Sequence, residues 1–394
     1  MIKMENKIIY LDNGATTEMY PEVIEAMTKA MKELYGNASS QHQLGVKAKN
    51  ELDKAREFIA KQINGKASEL IFTGSGSEAN NLVIKGIMSR SNRKHLIISK
   101  IEHDCILNSA KYLDNKGIKV SYIDVDENGF IDLKQLKEEI NEDTALVSII
   151  QGNNEIGTIQ DLDKIYTICK EKGALFHTDA CQSFTKTKID SLMADLITIN
   201  SHKIHGPKGV AALYIKEGVK LDPLIHGGGH EFNLRSGTEN IPAIIGFAKA
   251  VELAYTEEEI KRVSELRDYL IDGLLEIPGT ILNGPRENRL CNNVNISFKN
   301  IEGESIIAMF DLLGICVSSG SACSSHTLDS SHVIMALEES HERAHSSTRF
   351  TLSKFTEKED LDFVIEKAKE IVRTLREISP FGFDNLDEWR NKNV

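Results

Sequence analysis

Between about residue 70 and residue 215, short runs of β-branched and apolar residues alternate with longer stretches whose apolar residues recur at spacings of three and four. A strand buried on both faces reads as a near-continuous apolar run, and a parallel pair of strands needs a long crossover, usually a helix. The alternation therefore predicts an α/β fold: a seven-stranded, doubly wound, mainly parallel sheet sandwiched by helices. The strands are expected at residues 70–72, 95–99, 119–125, 145–150, 174–178, 195–200 and 210–215, with helical stretches such as 76–88 and 162–171 between several of them. Residues 21–34 and 46–62 read as helices outside the sheet, Pro21 suiting a first turn. One long helix is expected from Ile241 to about Leu275, opened by Pro242. Beyond it, the turn-like Asn283-Gly284-Pro285 precedes segments 291–298, 304–313, 316–317, 348–352 and 357–378, which mix strands and helices as a smaller α+β unit does. The division expected is a large cofactor-binding domain at 14–255, and a small domain from 1–13 with 256–394 that carries a mobile loop at about 318–330.

With 394 residues, 41% apolar and 27% charged, the chain has the length and composition of a folded protein of two or three domains. Lys and Arg number 47 against 59 Asp and Glu, and the net charge of −12 repels phosphate backbones and anionic lipid. No direct nucleic-acid partner and no membrane association are expected. Charges at Lys3, Glu5 and Lys7 interrupt the start, and the longest apolar runs are strand-sized, so neither an export signal nor a spanning helix is expected and the location is read as cytoplasmic. The six cysteines, Cys105, Cys169, Cys181, Cys291, Cys316 and Cys323, include no C-x-x-C pair, which argues against a disulfide framework and a zinc ribbon.

Several stretches carry chemistry, each with an ordinary alternative. The run from Phe72 through Gly74-Ser75-Gly76-Ser77 passes from strand to helix, so Ser75, Gly76 and Ser77 form either an anion cup or a plain helix cap. Asp179 stands at a strand end, where a doubly wound sheet delivers ligand-binding groups; its carboxylate with nearby Gln182 suits a ring nitrogen and ring oxygen, and suits equally a local turn. Lys203, after the strand ending at Asn200, is a Schiff-base lysine or a solvated loop lysine. Arg349 is a two-pronged carboxylate clamp or a surface ion pair. Cys323 lies among Ser318, Ser319, Gly320, Ser321, Ser324 and Ser325, a small polar run that suits a mobile reactive thiol. Cys105, Cys169, Cys291 and Cys316 read as small buried hydrophobes, and Cys181 takes no role. His226-Gly227-Gly228-Gly229-His230 does not suit a metal site, because three glycines oppose the helix that would align the rings, so no intrinsic metal is expected. The histidines His326, His332, His341 and His345 have no reading.

Taken in order, Tyr10-Leu-Asp-Asn-Gly-Ala-Thr-Thr17, Glu102-His103, Asn153-Asn-Glu-Ile-Gly157, Asp179-Ala-Cys-Gln182, Ser201-His-Lys-Ile-His-Gly-Pro-Lys-Gly209, His226-Gly-Gly-Gly-His-Glu231, Arg235-Ser-Gly-Thr-Glu-Asn240 and Ser318-Ser-Gly-Ser-Ala-Cys323 resemble the cysteine desulfurases of the NifS/IscS type, over nearly the whole chain. The resemblance implies fold type I of the pyridoxal 5'-phosphate (PLP) enzymes. It implies that Lys203 holds the cofactor covalently, Asp179 pairs with its ring nitrogen, His103 stacks on the ring and moves protons, Asn154 stands beside it and Gln182 bonds its phenolic oxygen. Gly76, Ser77, Ser201 and His202 match phosphate-binding positions, and Thr238 matches a threonine that reaches the phosphate of a neighbouring subunit, which implies a homodimer. Asn200 stands near the phosphate where some members have serine. Arg349 matches the arginine that binds the carboxylate of L-cysteine, and Asn154 also borders that substrate. Cys323 matches the thiol that takes sulfur as a persulfide and passes it to an iron-sulfur scaffold or another acceptor, and that is able to ligate a transient cluster shared with the scaffold. The competing expectation is a lyase of the same superfamily, which needs no serine-flanked shuttle thiol.

Overall fold

The computed structural model describes residues 7–319, 330–338 and 340–386. The chain begins with a short strand β1 (Ile9–Tyr10), then helices α1 (Pro21–Glu33) and α2 (Gln43–Lys61). All seven expected strands of the large sheet are present: β2 (Leu70–Thr73), β3 (His95–Ser99), β4 (Lys119–Ile123), β5 (Thr144–Ser148), β6 (Leu175–Asp179), β7 (Leu196–Asn200) and β8 (Ala211–Ile215). They lie in the order β2-β8-β7-β6-β5-β3-β4, parallel throughout except for β8, which runs against both neighbours. The crossovers contain α3 (Gly76–Arg90), α4 (Asp104–Asp114), α5 (Leu133–Glu139) and α6 (Leu162–Lys172).

Pleating sends adjacent residues of each strand to opposite faces, and here both faces are apolar. Leu96 and Ile98 join α3 and α4 on one side, whereas Ile97 joins the cluster built with α2, α6 and α7 (Ile241–Glu252) on the other. The single helix expected from Ile241 to Leu275 is two helices, α7 and α8 (Glu257–Leu275). The break has a local cause. Thr256 Oγ1 accepts the Glu259 N–H at 3.2 Å while the Glu259 carboxylate accepts the Thr256 N–H at 2.9 Å, a reciprocal cap that starts a new helix.

The remainder packs around a separate hydrophobic cluster. Strands β9 (Thr280–Leu282) and β10 (Asn293–Phe298), helix α9 (Gly303–Leu312), strand β11 (Ile315–Cys316), helices α10 (His332–Glu338) and α11 (His341–His345), strand β12 (Ser347–Thr351) and helix α12 (Lys358–Ile378) complete the order. The sheet is antiparallel, β12-β10-β9, and β11 pairs in parallel with β1. Among the described residues, no helix is long and apolar enough to cross a membrane.

Candidate active site

The C-terminal ends of β3, β5, β6 and β7 point the same way, and the residues that follow them gather with the first turn of α3. Ser75 caps that turn, its Oγ accepting the Glu78 N–H at 3.1 Å. The capping role therefore holds, and the turn is also closely built against the strand ends. A Cβ on Gly76 would lie 2.6 Å from Cys181 Sγ and 3.7 Å from Asn200 Nδ2, so only glycine admits this approach. Ser77, next along, is exposed.

Asp179 ends β6 and is buried. Its Oδ1 accepts the Cys181 N–H at 2.8 Å, and its Oδ2 accepts Asn80 Nδ2 of α3 at 2.6 Å. Two residues earlier, His177 crosslinks the sheet: Nδ1 meets Ser148 Oγ of β5 at 2.8 Å and Nε2 meets Thr198 Oγ1 of β7 at 3.0 Å. Burial lowers the His177 pKa to about 4, so a neutral ring fixes the strands beneath the carboxylate.

Lys203 is no solvated lysine. Its Nζ donates to the Gly14 carbonyl, which also accepts Gln182 Nε2 at 2.8 Å. The Asn200 and Ser201 side chains are buried, and Asn200 Oδ1 and Ser201 Oγ have no hydrogen-bond partner. His202 Nδ1 is 3.3 Å from Thr16 Oγ1; burial, then the charges of Lys203 and Lys208, lower its pKa to about 4. Gly14 is held from the other sheet, its N–H donating to Thr351 Oγ1 at 2.6 Å.

Arg349 comes from β12 and is 2% exposed, which excludes the surface ion pair. Nη1 donates to the Asn154 carbonyl at 3.0 Å, and Nη2 to Asp12 Oδ1 at 3.1 Å and Ser318 Oγ at 2.9 Å. Asn154 Oδ1 is buried without a partner. His103 caps α4: its Nδ1 accepts the Cys105 N–H at 3.2 Å and lies 3.1 Å from Cys105 Sγ. Before it, Glu102 is fully buried and its Oε1 accepts from Ser99 Oγ at 2.5 Å and the Ile150 N–H at 2.9 Å. Burial outweighs those bonds and pushes the carboxyl up to about 8.

Thr238 is exposed. Its segment is fixed at two points: Arg56 donates to both carboxylate oxygens of buried Glu231, at 2.6 and 2.7 Å, and Arg235 Nε donates to Glu78 at 2.7 Å. The structure corrects the reading of two cysteines. Cys169 and Cys291 are buried, but Cys105 and Cys316 are partly exposed, Cys105 because the first turn of α4 turns it to His103, Cys316 because it lines a cavity of about 510 Å³ beside Ser318. Cys323, the proposed shuttle thiol, and His326 lie outside the described residues. His332 Nε2 meets the Glu102 carbonyl at 2.9 Å, and His341 stacks on His345 with centroids 6.4 Å apart. Among the described residues, no cluster of three His, Cys, Asp or Glu side chains is arranged to hold a metal.

Asn80, Asp12, Gly14, His177 and Ser318 complete the site without having been singled out for a role. Asn80 and His177 carry no motif of their own; the signal available was a buried polar residue on an otherwise apolar face.

The aminotransferase class-V family model matches residues 9–364. The chain belongs to the aminotransferase class-V family. Cysteine desulfurase IscS of Dictyoglomus turgidum is 47% identical over 97% of this chain and 98% of its own, and cysteine desulfurase IscS of Methanosarcina thermophila is 45% identical over 96% and 95%. Among solved structures, a NifS-like protein matches with a TM-score of 0.88 and 37% identity, over 94% of this chain and all of the other. A structure described as SspA in complex with cysteine matches with a TM-score of 0.79 and 34% identity, over 89% and 100%. Membership of the aminotransferase class-V family implies PLP, and the residues fit such a group: an amine, a buried carboxylate, a glycine-bounded helix start, and buried oxygens of Asn154, Asn200 and Ser201 that no protein group satisfies.

Proposed function

We propose that this chain is a cysteine desulfurase that converts L-cysteine to L-alanine and leaves a persulfide on Cys323. The substrate C–S bond breaks, an S–S bond forms, and the hydrogens of the two thiols end on alanine and the persulfide, so no outside oxidant or reductant is needed. The observation that carries this reading is the meeting of three groups around Gly14: the Lys203 amine and the Gln182 amide on its carbonyl, and Arg349 Cζ 3.4 Å from the place of a Cβ on Gly14. An amine and a guanidinium thereby converge on the same residue, Gly14.

Bound PLP supplies an aldehyde and an electron-withdrawing ring that takes up charge left at the substrate Cα. Lys203 would hold it, Asp179 would keep its ring nitrogen protonated, and Gln182 would bond its phenolic oxygen. Gly76, Ser77, Asn200, Ser201 and His202 would surround its phosphate, with Thr238 of a second copy. Arg349 binds the substrate carboxylate with two parallel hydrogen bonds, and Asn154 borders it. Lys203 and His103 take and return protons at Cα and Cβ. The Cys323 thiol, deprotonated by His103 or by the substrate thiol, attacks the substrate sulfur.

We place the large cofactor-binding domain at 14–255 and the small domain at 1–13 with 256–394, and read the protein as a homodimer. The exposure of Ile24, Met31, Tyr35, Leu44 and Val46 supports a second copy covering this side. The sulfur acceptor is an iron-sulfur scaffold or another thiol-bearing protein, and a cluster transiently shared through Cys323 belongs to the same proposal.

The test is alanine formation from L-cysteine without a keto acid, together with persulfide labelling of the protein. Cys323→Ala is expected to abolish the persulfide and leave the cofactor absorbance intact. Sulfide release by that variant at the normal rate, with no other thiol added, refutes the role of Cys323 and favours the lyase.

A further inference from the structure

Asn80 has one NH₂ group and two acceptors in reach. Asp179 Oδ2 is 2.6 Å from Nδ2, and Cys105 Sγ is 3.2 Å from the same nitrogen. The orientation of the amide is determined by the first contact, since turning it over would bring its oxygen against a carboxylate oxygen. Its second hydrogen then points to the sulfur, which accepts. The Cys105 thiol hydrogen is left for another acceptor, and His103 Nδ1 lies 3.1 Å from Sγ.

The state of that ring nitrogen follows from the backbone. His103 Nδ1 accepts the Cys105 N–H at 3.2 Å in capping α4, and a nitrogen that accepts an N–H carries no proton of its own. The proton of the neutral imidazole is therefore on Nε2. Both donors from Cys105, backbone and thiol, act on the same lone pair and hold the same tautomer.

We propose that Asn80 and Cys105 are positioning residues that link the Asp179 carboxylate to the His103 imidazole and keep the His103 proton on Nε2. This deepens the reading of His103 as a proton carrier and rests on it. Asn80 serves both ends: it holds Asp179 in place beneath the ring nitrogen it is proposed to meet, and it directs the thiol of Cys105 toward Nδ1. A hydrogen bond donated to an unprotonated nitrogen stabilises the neutral ring, so removing the thiol donor makes His103 easier to protonate. Among the described residues, the other titratable groups around this pair include Glu102 and Asp104 on either side of His103, His332 of α10 on the Glu102 carbonyl, and Cys181, Asp179 and Lys203 across the site. Substitution at residue 105 replaces none of these groups, and the one of them whose raised pKa Cys105 helps to set is the Cys181 thiol.

The experiment compares Cys105→Val and Cys105→Ala, which lack a donor, with Cys105→Ser, which keeps one. In protein labelled with ¹⁵N-histidine and freed of cofactor, the His103 ring is assigned by its loss in His103→Gln and titrated. The titration midpoint is expected to rise by about half a pH unit or more in Cys105→Val or Cys105→Ala and to stay at the wild-type value in Cys105→Ser. The acid limb of kcat in the loaded enzyme should move in the same direction for the same variants. Either donor-free variant suffices if the other fails to fold. Equal midpoints in all proteins, or the same shift in Cys105→Ser as in Cys105→Val, overturn the proposal, as does a wild-type Nδ1 resonance showing a bonded proton. A wild-type protein that yields no alanine from L-cysteine, with the midpoints behaving as expected, instead removes the catalytic reading of His103 and leaves its tautomer explained.

Discussion

Arg349 binds no exposed partner and is surrounded by Asp12, Asn154 and Ser318, so its planar guanidinium is set before any substrate arrives. A lysine in its place keeps the charge and loses the fork. Arg349→Lys is expected to raise KM for L-cysteine about tenfold or more with cofactor absorbance unchanged, measured by alanine release against substrate concentration. Asp179 at the end of β6 and Lys203 just past β7 stood out in the sequence as candidates with ordinary alternatives, whereas the roles of Gln182 and of Arg349, in the middle of β12, came only from the family resemblance. Asn80 was not legible. It sits in an apolar helix with no neighbour in sequence to hint that its amide faces a carboxylate 99 positions away. Cys105 failed for a related reason: a thiol among apolar residues reads as packing until the turn of α4 shows which way it points.

At the level of elements, the strands were legible because burial on both faces leaves short runs rich in β-branched and apolar residues, as in Leu196-Ile-Thr-Ile-Asn200. The junction of α7 and α8 was not, since the helical spacing was read straight through it, whereas α7 ends at Glu252 and the reciprocal bonds between Thr256 and Glu259 start α8. Thr256→Ala should cost about 1 kcal/mol of stability, read from the urea midpoint, with little effect on turnover. The first turn of α3 behaves oppositely. Because a Cβ on Gly76 would meet Cys181 Sγ at 2.6 Å, Gly76→Val should weaken cofactor retention at least tenfold, measured by absorbance after dialysis, while the sheet beneath it stays folded.

Across the whole molecule, the buried Glu102 carboxyl gives stability a pH dependence. Its folded pKa of about 8 lies above its ordinary value of 4.5, so the folded state holds a proton that the unfolded chain gives up. Stability from this group is complete below about pH 4.5, falls as pH rises toward 8, and levels off once the folded carboxyl also ionises. Glu102→Gln removes this term; its melting temperature should gain on the wild type as pH is raised from 5 to 8, by the equivalent of roughly 1 to 3 kcal/mol. Gly14 joins widely separated parts of the chain in a different way. Its carbonyl takes Gln182 and Lys203, 168 and 189 positions ahead, and its N–H takes Thr351, 337 positions ahead. During synthesis, therefore, Gly14 waits for a residue 337 positions ahead before its N–H is anchored. Until β12 is made, the large sheet has all its strands while the Gly14 N–H still lacks the Thr351 hydroxyl, so the backbone that receives the Lys203 amine is held at one end only.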